Sequence, residues 1–271
     1  MTALSSAQLA QLDPFMIELN RVSGEVILPL FRTENGLENK DVSGGFDPVT
    51  KGDKDAEAVI RRTIAAHFPN HGVIGEEYGE DRPGAEFVWV LDPIDGTRAF
   101  IAGLPVWTTL IGLRFQGQPV LGSIGQPYLE EVFIGSAAGS RLLRRGGSRP
   151  LKARLCPNLS QAIIATTDSG MLKPEELQAW TRLRAAARLA RMGCDAYAYA
   201  MVAAGAIDLI IEAGLKSWDV EAAVPLLDGA GGMITDWTGA RVGREGGQII
   251  IAGDRACLDQ ALTAMAYKTD I

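Results

Sequence analysis

The chain of 271 residues is 47% hydrophobic and 22% charged, with a formal net charge of −7. An apolar share of that size supports a substantial core, which excludes wholesale disorder and fibrous structure and predicts one compact unit or two parts sharing a wall. The acidic balance, with a pI near 5.0, argues against a coat of nucleic acid or an anionic membrane surface as partner. Cys156, Cys194 and Cys257 are far apart and in no C-x-x-C spacing, which disfavours a disulfide framework or a zinc knuckle and fits a reducing compartment. The first thirty residues lack the basic start, apolar block and small-residue site of a signal peptide, and no window approaches the ~20 apolar residues of a membrane span. A cytoplasmic protein with no membrane partner is expected.

Apolar positions at helical spacing (Leu9, Leu12, Ile17, Leu19, Val22, Val26, Ile27, Leu30) predict an amphipathic helix over 5–31. Residues 35–49 are rich in Gly, Asp, Asn and Ser and read as a loop or loose hairpin. A second helix follows from about Asp53 to His67. From Gly72 the period becomes that of strands. Gly72–Gly75 and Phe87–Leu91 are short apolar runs ending in acids, and Thr108–Phe115, Val120–Ile124, Val132–Ile134 and Arg141–Leu143 read as an antiparallel meander. After the Gly146-Gly147 break come a strand (Ala162–Thr166), a helix (Pro174–Ala187), a short strand (Arg188–Met192), a helix (Ala196–Ala204), a strand (Ile207–Glu212), a helix (Val220–Gly229), a strand near Gln248–Ala252 and a terminal helix. That alternation predicts an α/β layer. The boundary is expected between about 145 and 160, giving an N-terminal α+β part over 1–150 and a C-terminal α/β part over 151–271.

The most informative segment runs Trp89-Val-Leu-Asp92-Pro-Ile-Asp95-Gly-Thr97-Arg98-Ala-Phe100. An apolar strand delivers Asp92, Pro93 turns the chain, Asp95 follows, and Gly96-Thr97 opens a helix. Two carboxylates at one junction repel unless a cation lies between them, and the open amides of the adjacent helix start suit a phosphate oxygen. Alone, such a pair reads as a strand end and a helix cap. Gly75-Glu76-Glu77, Ser217-Trp218-Asp219 and Asp47-Pro-Val-Thr-Lys-Gly-Asp53 add acids at three further termini, and four such termini point to one shared site. Oxygen ligands without histidine or thiolate select a hard cation, Mg²⁺ first and Mn²⁺ second. No nucleophile motif is present, which leaves metal-activated water as the attacking group.

Glu76 in Gly-Glu-Glu, the Asp92-Pro-Ile-Asp-Gly-Thr97 run, and Trp218-Asp219 followed by a helix and Gly229-Ala-Gly-Gly232 resemble the inositol monophosphatase family over about residues 8–267. The resemblance implies a layered α-β-α-β-α sandwich, usually dimeric, hydrolysing small phosphomonoesters with two or three Mg²⁺ ions, and lithium-sensitive. It would make Glu76, Asp92, the Ile94 carbonyl, Asp95 and Asp219 the metal ligands. Asp53 and Thr97 would orient and deprotonate water, with Glu76 beside them in the catalytic set, and the amides of Gly96 and Thr97 would hold phosphate. The −7 charge does not oppose a phosphorylated substrate, because these acids would be offset by the metals they hold.

Substrate choice rests on other residues. Arg98-Ala-Phe-Ile, Gly103-Leu-Pro-Val-Trp107, Arg191-Met-Gly-Cys-Asp195-Ala-Tyr197 and Leu215-Lys-Ser217 are similar to the histidinol-phosphate phosphatase branch. That similarity implies L-histidinol phosphate as substrate and a role in histidine biosynthesis. Arg191 and Glu212 join the substrate-binding candidates Glu76, Ile94, Asp95, Gly96, Thr97 and Asp219. Asp195 and Glu212 suit an amine and an imidazole, but they also suit a polyol hydroxyl, so inositol phosphate and nucleotide 3′-phosphates stay open. Trp107, Tyr197 and Tyr199 are candidates to stack an imidazole, against a plain core role. A metal-binding regulatory paralogue is the non-enzymatic alternative; the intact set of acids speaks against it.

Overall fold

The computed structural model describes residues 4–33, 36–39, 48–242 and 245–266. Ser5 caps the first helix, α1 (Ser6–Ile27). Its Oγ accepts from Gln8 N at 3.3 Å while Gln8 Oε1 accepts from Ser5 N at 2.8 Å, which satisfies amides that a helix start leaves open. Pro14 stands inside α1, yet the helix continues past it with Leu12, Phe15, Met16 and Leu19 buried on its inner face. The predicted end near residue 31 tightens into a 3-10 turn over Leu28–Leu30. Glu38–Asn39 (β1) pairs antiparallel with Pro48–Val49 (β2). Residues 35 and 40–47 of the predicted loop lie outside the described residues. The second helix, α2 (Lys51–His67), begins two residues before its expected start because Thr50 caps it.

The next strands are β3 (Gly72–Gly75), β4 (Gly79–Asp81), β5 (Phe87–Asp95), β6 (Thr108–Phe115), β7 (Gln118–Gln126), β8 (Glu131–Ser136), β9 (Gly139–Arg144) and β10 (Gly147–Pro150), with the short helix α3 (Thr97–Ile101) after β5. They form a sheet ordered β10-β9-β8-β7-β6-β5-β3-β4, antiparallel except where β3 runs parallel to β5. The second half contributes β11 (Ile163–Thr166), α4 (Pro174–Ala186), β12 (Leu189–Met192), α5 (Tyr197–Ala203), β13 (Leu209–Leu215), α6 (Ser217–Val220), α7 (Ala223–Ala230), β14 (Met233–Thr235), β15 (Gly247–Ala252) and α8 (Arg255–Ala266). Its sheet is ordered β12-β11-β13-β15-β14, and β11 runs parallel to both neighbours.

These elements stack in five layers, the α-β-α-β-α sandwich. Helices α1 and α2 bury Leu12, Met16, Leu19, Ile60 and Ile64 against Trp89, Leu91 and Ile111 of the larger sheet. On the far side, α4 and α8 bury Trp180, Leu183, Leu258 and Ala261 against Ile164, Leu209 and Ile250. Between the sheets, α5 and α7 place Val202, Leu226 and Leu227 in one core with Ile124 and Phe133 of the first sheet and Ile210 and Ile251 of the second. The middle layer therefore joins both halves by apolar burial, the main favourable term in folding. Among the described residues, no helix is long and apolar enough to cross a membrane.

Four local expectations are corrected. Pro93 does not end its strand: β5 runs on to Asp95 through a register shift against β6 between Asp92 and Asp95, and a bulge tolerates a residue that cannot donate to the ladder. The Gly146-Gly147 break is a hairpin rather than the end of the sheet: the chain turns at Arg145-Gly146 and Gly147 opens β10. The helix expected over Val220–Gly229 is two helices, α6 and α7, with the metal-ligand candidate Asp219 on the first. Strands β4 and β14 went unpredicted because one is exposed along its length and each has only three residues.

One buried ion pair crosses the layers. Arg114 on β6 donates through Nε to Glu221 Oε2 at 2.5 Å and through Nη2 to Oε1, with the two residues 8% and 4% exposed. Glu221 stands two residues after Asp219, so the pair seats α6 on the larger sheet. Arg114→Met is expected to lower unfolding free energy by about 3–5 kcal/mol, because it strands a buried carboxylate. The double variant Arg114→Met/Glu221→Leu should recover much of that loss, as read by urea denaturation.

Candidate active site

β5 lies inside the larger sheet and carries Asp92 to a buried end, 3% exposed. Thr109 Oγ1 donates to the Pro93 carbonyl at 2.8 Å, and Ile94 packs with Phe31, Phe100 and Trp107. The bulge is held from both sides, so Asp95 reaches the same cavity as Asp92. Gly96 then takes a φ of +80°, and a Cβ there would stand 2.9 Å from the Asp195 carboxylate. Both the backbone and the space require glycine.

The second sheet supplies the facing acids: Glu212 on β13, Asp219 on α6, and Asp195 just before α5 with a left-handed φ of +43°. One carboxylate oxygen each from Asp92, Asp95 and Asp219 lies within 4.8 Å of the other two. Burial, then the charges of Glu76, Asp95, Asp219 and Asp53, push Asp92 well above the usual carboxylate range. Burial and Asp195 do the same to Asp95, and burial brings Asp219 up to about 6. Asp92 Oδ1 is buried with no hydrogen-bond donor among the described residues. A buried acceptor left so costs about 1–3 kcal/mol, and a cation among three acid oxygens removes both that loss and the repulsion. The all-oxygen donor set fits a hard divalent ion.

Asp95, Asp219, Asp53 and Glu212 are each tied by one oxygen to a backbone amide. Asp95 Oδ2 accepts from Ala196 N at 2.7 Å and Asp219 Oδ2 from Lys216 N at 2.7 Å. Asp53 Oδ2 accepts from Thr50 N at 2.8 Å and Thr50 Oγ1 at 2.6 Å. Its other oxygen lies 3.5 Å from Thr97 Oγ1, which is 3.1 Å from the Ile94 carbonyl. Glu212 accepts from Thr167 N at 2.7 Å and Thr167 Oγ1 at 2.9 Å, and burial pushes it up to about 8.

Of the residues singled out from the sequence, Glu76, Asp92, Ile94, Asp95, Gly96, Thr97, Glu212 and Asp219 line one cavity of about 390 Å³. Asp53 reaches it through Thr97. Arg191 lies exposed on the edge strand β12, away from that lining. Tyr199 lines the cavity, whereas Trp107 is fully buried beside Phe100 and Tyr197 donates to Glu131. His67 and His71 pack in an aromatic cluster with Phe15, Phe68, Phe87 and Trp89, apart from the cavity. Sequence reasoning missed Thr167, Asp168, Met171 and Leu172, which also line it. The available signal was the polar Thr166-Thr167-Asp168 run at the C-terminal end of a parallel strand, where α/β sheets bind ligands. A second cavity of about 320 Å³ holds one acid, Asp228, and one cation, Arg241, with no converging ligand set.

The family model of the inositol monophosphatases matches residues 8–268. A bifunctional phosphatase IMPL2, chloroplastic, of Arabidopsis thaliana is 40% identical over 97% of this chain and 78% of its own. A histidinol-phosphatase of Chlorobaculum parvum is 32% identical over 82% and 85%, and a Nus factor SuhB of Escherichia coli 32% over 87% and 88%. Among solved structures, an inositol monophosphatase from Zymomonas mobilis superposes with a TM-score of 0.84 at 35% identity, covering 97% of this chain and all of that one.

Burial of the Asp219 carboxylate has a pH signature. Asp219 is raised from 3.8 to about 6 on folding, so its ionised form destabilises the metal-free protein fully above about pH 6, and the loss fades as the pH falls towards 4. With metal removed by chelator, Asp219→Asn is expected to melt higher than the unsubstituted chain above pH 6. The difference should shrink as the pH falls from 6 towards 4 in calorimetric scans.

Proposed function

Since the chain belongs to the inositol monophosphatase family and is a phosphomonoester hydrolase, we propose that it converts L-histidinol phosphate to L-histidinol and phosphate, in histidine biosynthesis, with Mg²⁺ as its metal. One observation carries the choice. Beside the triad and Glu76, the same cavity is lined by three further acids, Asp168, Asp195 and Glu212, against one basic residue, Arg98. Arg98 itself lies 3.8 Å from Asp168. A wall of that sign suits a substrate whose alcohol part carries an ammonium and an imidazole. The histidinol-phosphatase of Chlorobaculum parvum among the relatives supports the same reading.

Glu76, Asp92, the Ile94 carbonyl, Asp95 and Asp219 would hold the cation, with Mn²⁺ as a substitute. When bound, Mg²⁺ supplies Lewis-acid charge for the phosphoryl oxygens and acidifies water. Thr97 Oγ1 and Asp53 Oδ1 orient the attacking water, and Asp53 accepts its proton while Thr50 keeps the other oxygen fixed. The amides of Gly96 and Thr97 hold the phosphate, and in-line displacement breaks the P–O bond to the alcohol, whose oxygen takes a proton from solvent water while Asp53 returns its own to solvent. Asp195 and Glu212 bind the cationic end. A nearby cation favours the ionised form of Glu212, which burial and the charge of Asp195 push up to about 8.

Inositol 1-phosphate is the second reading, carried by the structural match to an inositol monophosphatase and by the ability of the same acids to accept hydroxyls. Phosphate release from histidinol phosphate, inositol 1-phosphate and adenosine 3′,5′-bisphosphate, measured side by side, tests the choice; histidinol phosphate is expected to lead in kcat/KM. A tenfold advantage for inositol 1-phosphate would reverse the assignment. Asp92→Asn is expected to lower kcat on the order of a thousandfold, since it removes a ligand charge with little change in volume. Glu212→Gln is expected to raise KM for histidinol phosphate about tenfold, a loss of about 1.4 kcal/mol, and to change inositol 1-phosphate turnover less.

A further inference from the structure

We propose that Glu57 is a positioning residue that fixes Glu76 in its ligand position before the cation arrives. The inference rests on the reading of Glu76 as a metal ligand. Glu57 stands one helical turn after Asp53 on α2 and is fully buried. Its carboxylate is directed at the turn between β3 and β4, which carries Glu76. Oε2 accepts from Glu77 N at 2.8 Å and Oε1 from Tyr78 N at 3.2 Å. Arg61, one further turn along α2, donates from Nε to Glu57 Oε1 at 2.7 Å and from Nη2 to the Gly79 carbonyl. On the other side, Glu76 N donates to the Leu91 carbonyl of β5 at 3.2 Å. The turn is therefore tied at Glu76, Glu77, Tyr78 and Gly79. A Cβ at Gly75 would come within 2.1 Å of Glu57 Oε1, so the carboxylate sits directly against the strand end.

The clamp answers an electrostatic problem. Glu76 adds to the charge that raises Asp92, so without metal the two acids repel, and a turn held only by its own backbone would swing Glu76 outward. Glu57 opposes that motion from a helix whose preceding turn carries Asp53. One rigid element thus sets both the water-orienting carboxylate and the turn of a metal ligand, and outer partners of this kind commonly change metal affinity 10- to 100-fold when removed. Glutamine at position 57 keeps one acceptor oxygen but turns an NH₂ towards a second backbone N–H, and it loses the charge that holds Arg61.

The test is calorimetric titration of the folded, metal-stripped protein with Mn²⁺, together with amide hydrogen exchange at Glu77 and Tyr78. Glu57→Gln is expected to weaken Mn²⁺ binding about tenfold and to speed exchange at those two amides. In turnover, the half-saturating Mg²⁺ concentration should rise about tenfold, with kcat at saturating Mg²⁺ lowered less than threefold. Unchanged Mn²⁺ affinity in Glu57→Gln, with Glu76→Gln binding weakly, overturns the clamp alone; unchanged affinity in both overturns the reading of Glu76 as a ligand and the clamp with it. A loss of kcat at saturating Mg²⁺ with normal Mn²⁺ affinity also overturns the proposal. Should Glu57→Gln not fold, Arg61→Met leaves the two amide hydrogen bonds in place and removes the ion pair to Glu57 and the tie to Gly79. It is then expected to weaken Mn²⁺ about threefold, and wild-type affinity there overturns the clamp.

Discussion

Mutual repulsion among buried carboxylates is the constraint that the rest of this molecule accommodates. Oxygens of Asp92, Asp95 and Asp219 lie within 4.8 Å of one another, with Glu76 close enough to add its charge. Isolated, such an arrangement would push its own elements apart. Two of the three triad acids come from β5 and the third from α6, which belong to different halves of the chain. The apolar layer between the sheets and the buried Arg114–Glu221 pair hold those halves in register. The energy of burial is thereby used to keep together charges that only a cation makes comfortable.

At Asp219 and Asp53 a helix-start acceptor and a carboxylate of the candidate site are the same residue. Asp219 accepts from the Lys216 amide at the start of α6, and Asp53 closes the capping box of α2. Each commits one oxygen to a backbone amide and leaves the other for the site, as Asp95 does with Ala196. The bond to the amide fixes the rotamer of the free oxygen, which gives a preorganised ligand without further side chains. Asp92 is the exception: Oδ1 finds no donor among the described residues, and this marks the position with most to gain from a cation. Reading a terminal acid as either a cap or a ligand sets apart two roles that the two oxygens of a carboxylate fill together.

Much of this was legible beforehand, and for identifiable reasons. The runs Gly72–Gly75 and Phe87–Leu91 read as strands because β3 and most of β5 are buried on both faces, and α2 read as a helix because its stripe repeats at 3.6 residues. The bulge at Pro93 was misread as a turn because proline signals only that a ladder bond is missing, not where the chain then goes. Asp168 and Met171 were passed over since their approach to the cavity depends on packing of β11 beside β13, a contact between residues far apart in the chain. Arg191 stands on its predicted strand, but that strand, β12, is the edge of the sheet and lies outside the cavity lining. A one-dimensional pattern gives the strand but not its neighbour.

The sequence by itself determined the inventory: acids at the ends of four elements, no histidine or thiolate to compete with oxygen ligation, and a glycine after Asp95. It did so because those features are local, set by residue type and short-range spacing. Only the tertiary structure decided which acids share a cavity, and that Asp92 Oδ1 is buried without a donor among the described residues while Asp53, Asp95 and Asp219 each hold an amide. It also decided that Glu57, an unremarked acid in the middle of α2, faces the turn bearing Glu76. Those outcomes depend on long-range packing of two sheets around a common core, and no periodicity along a single chain encodes that distance.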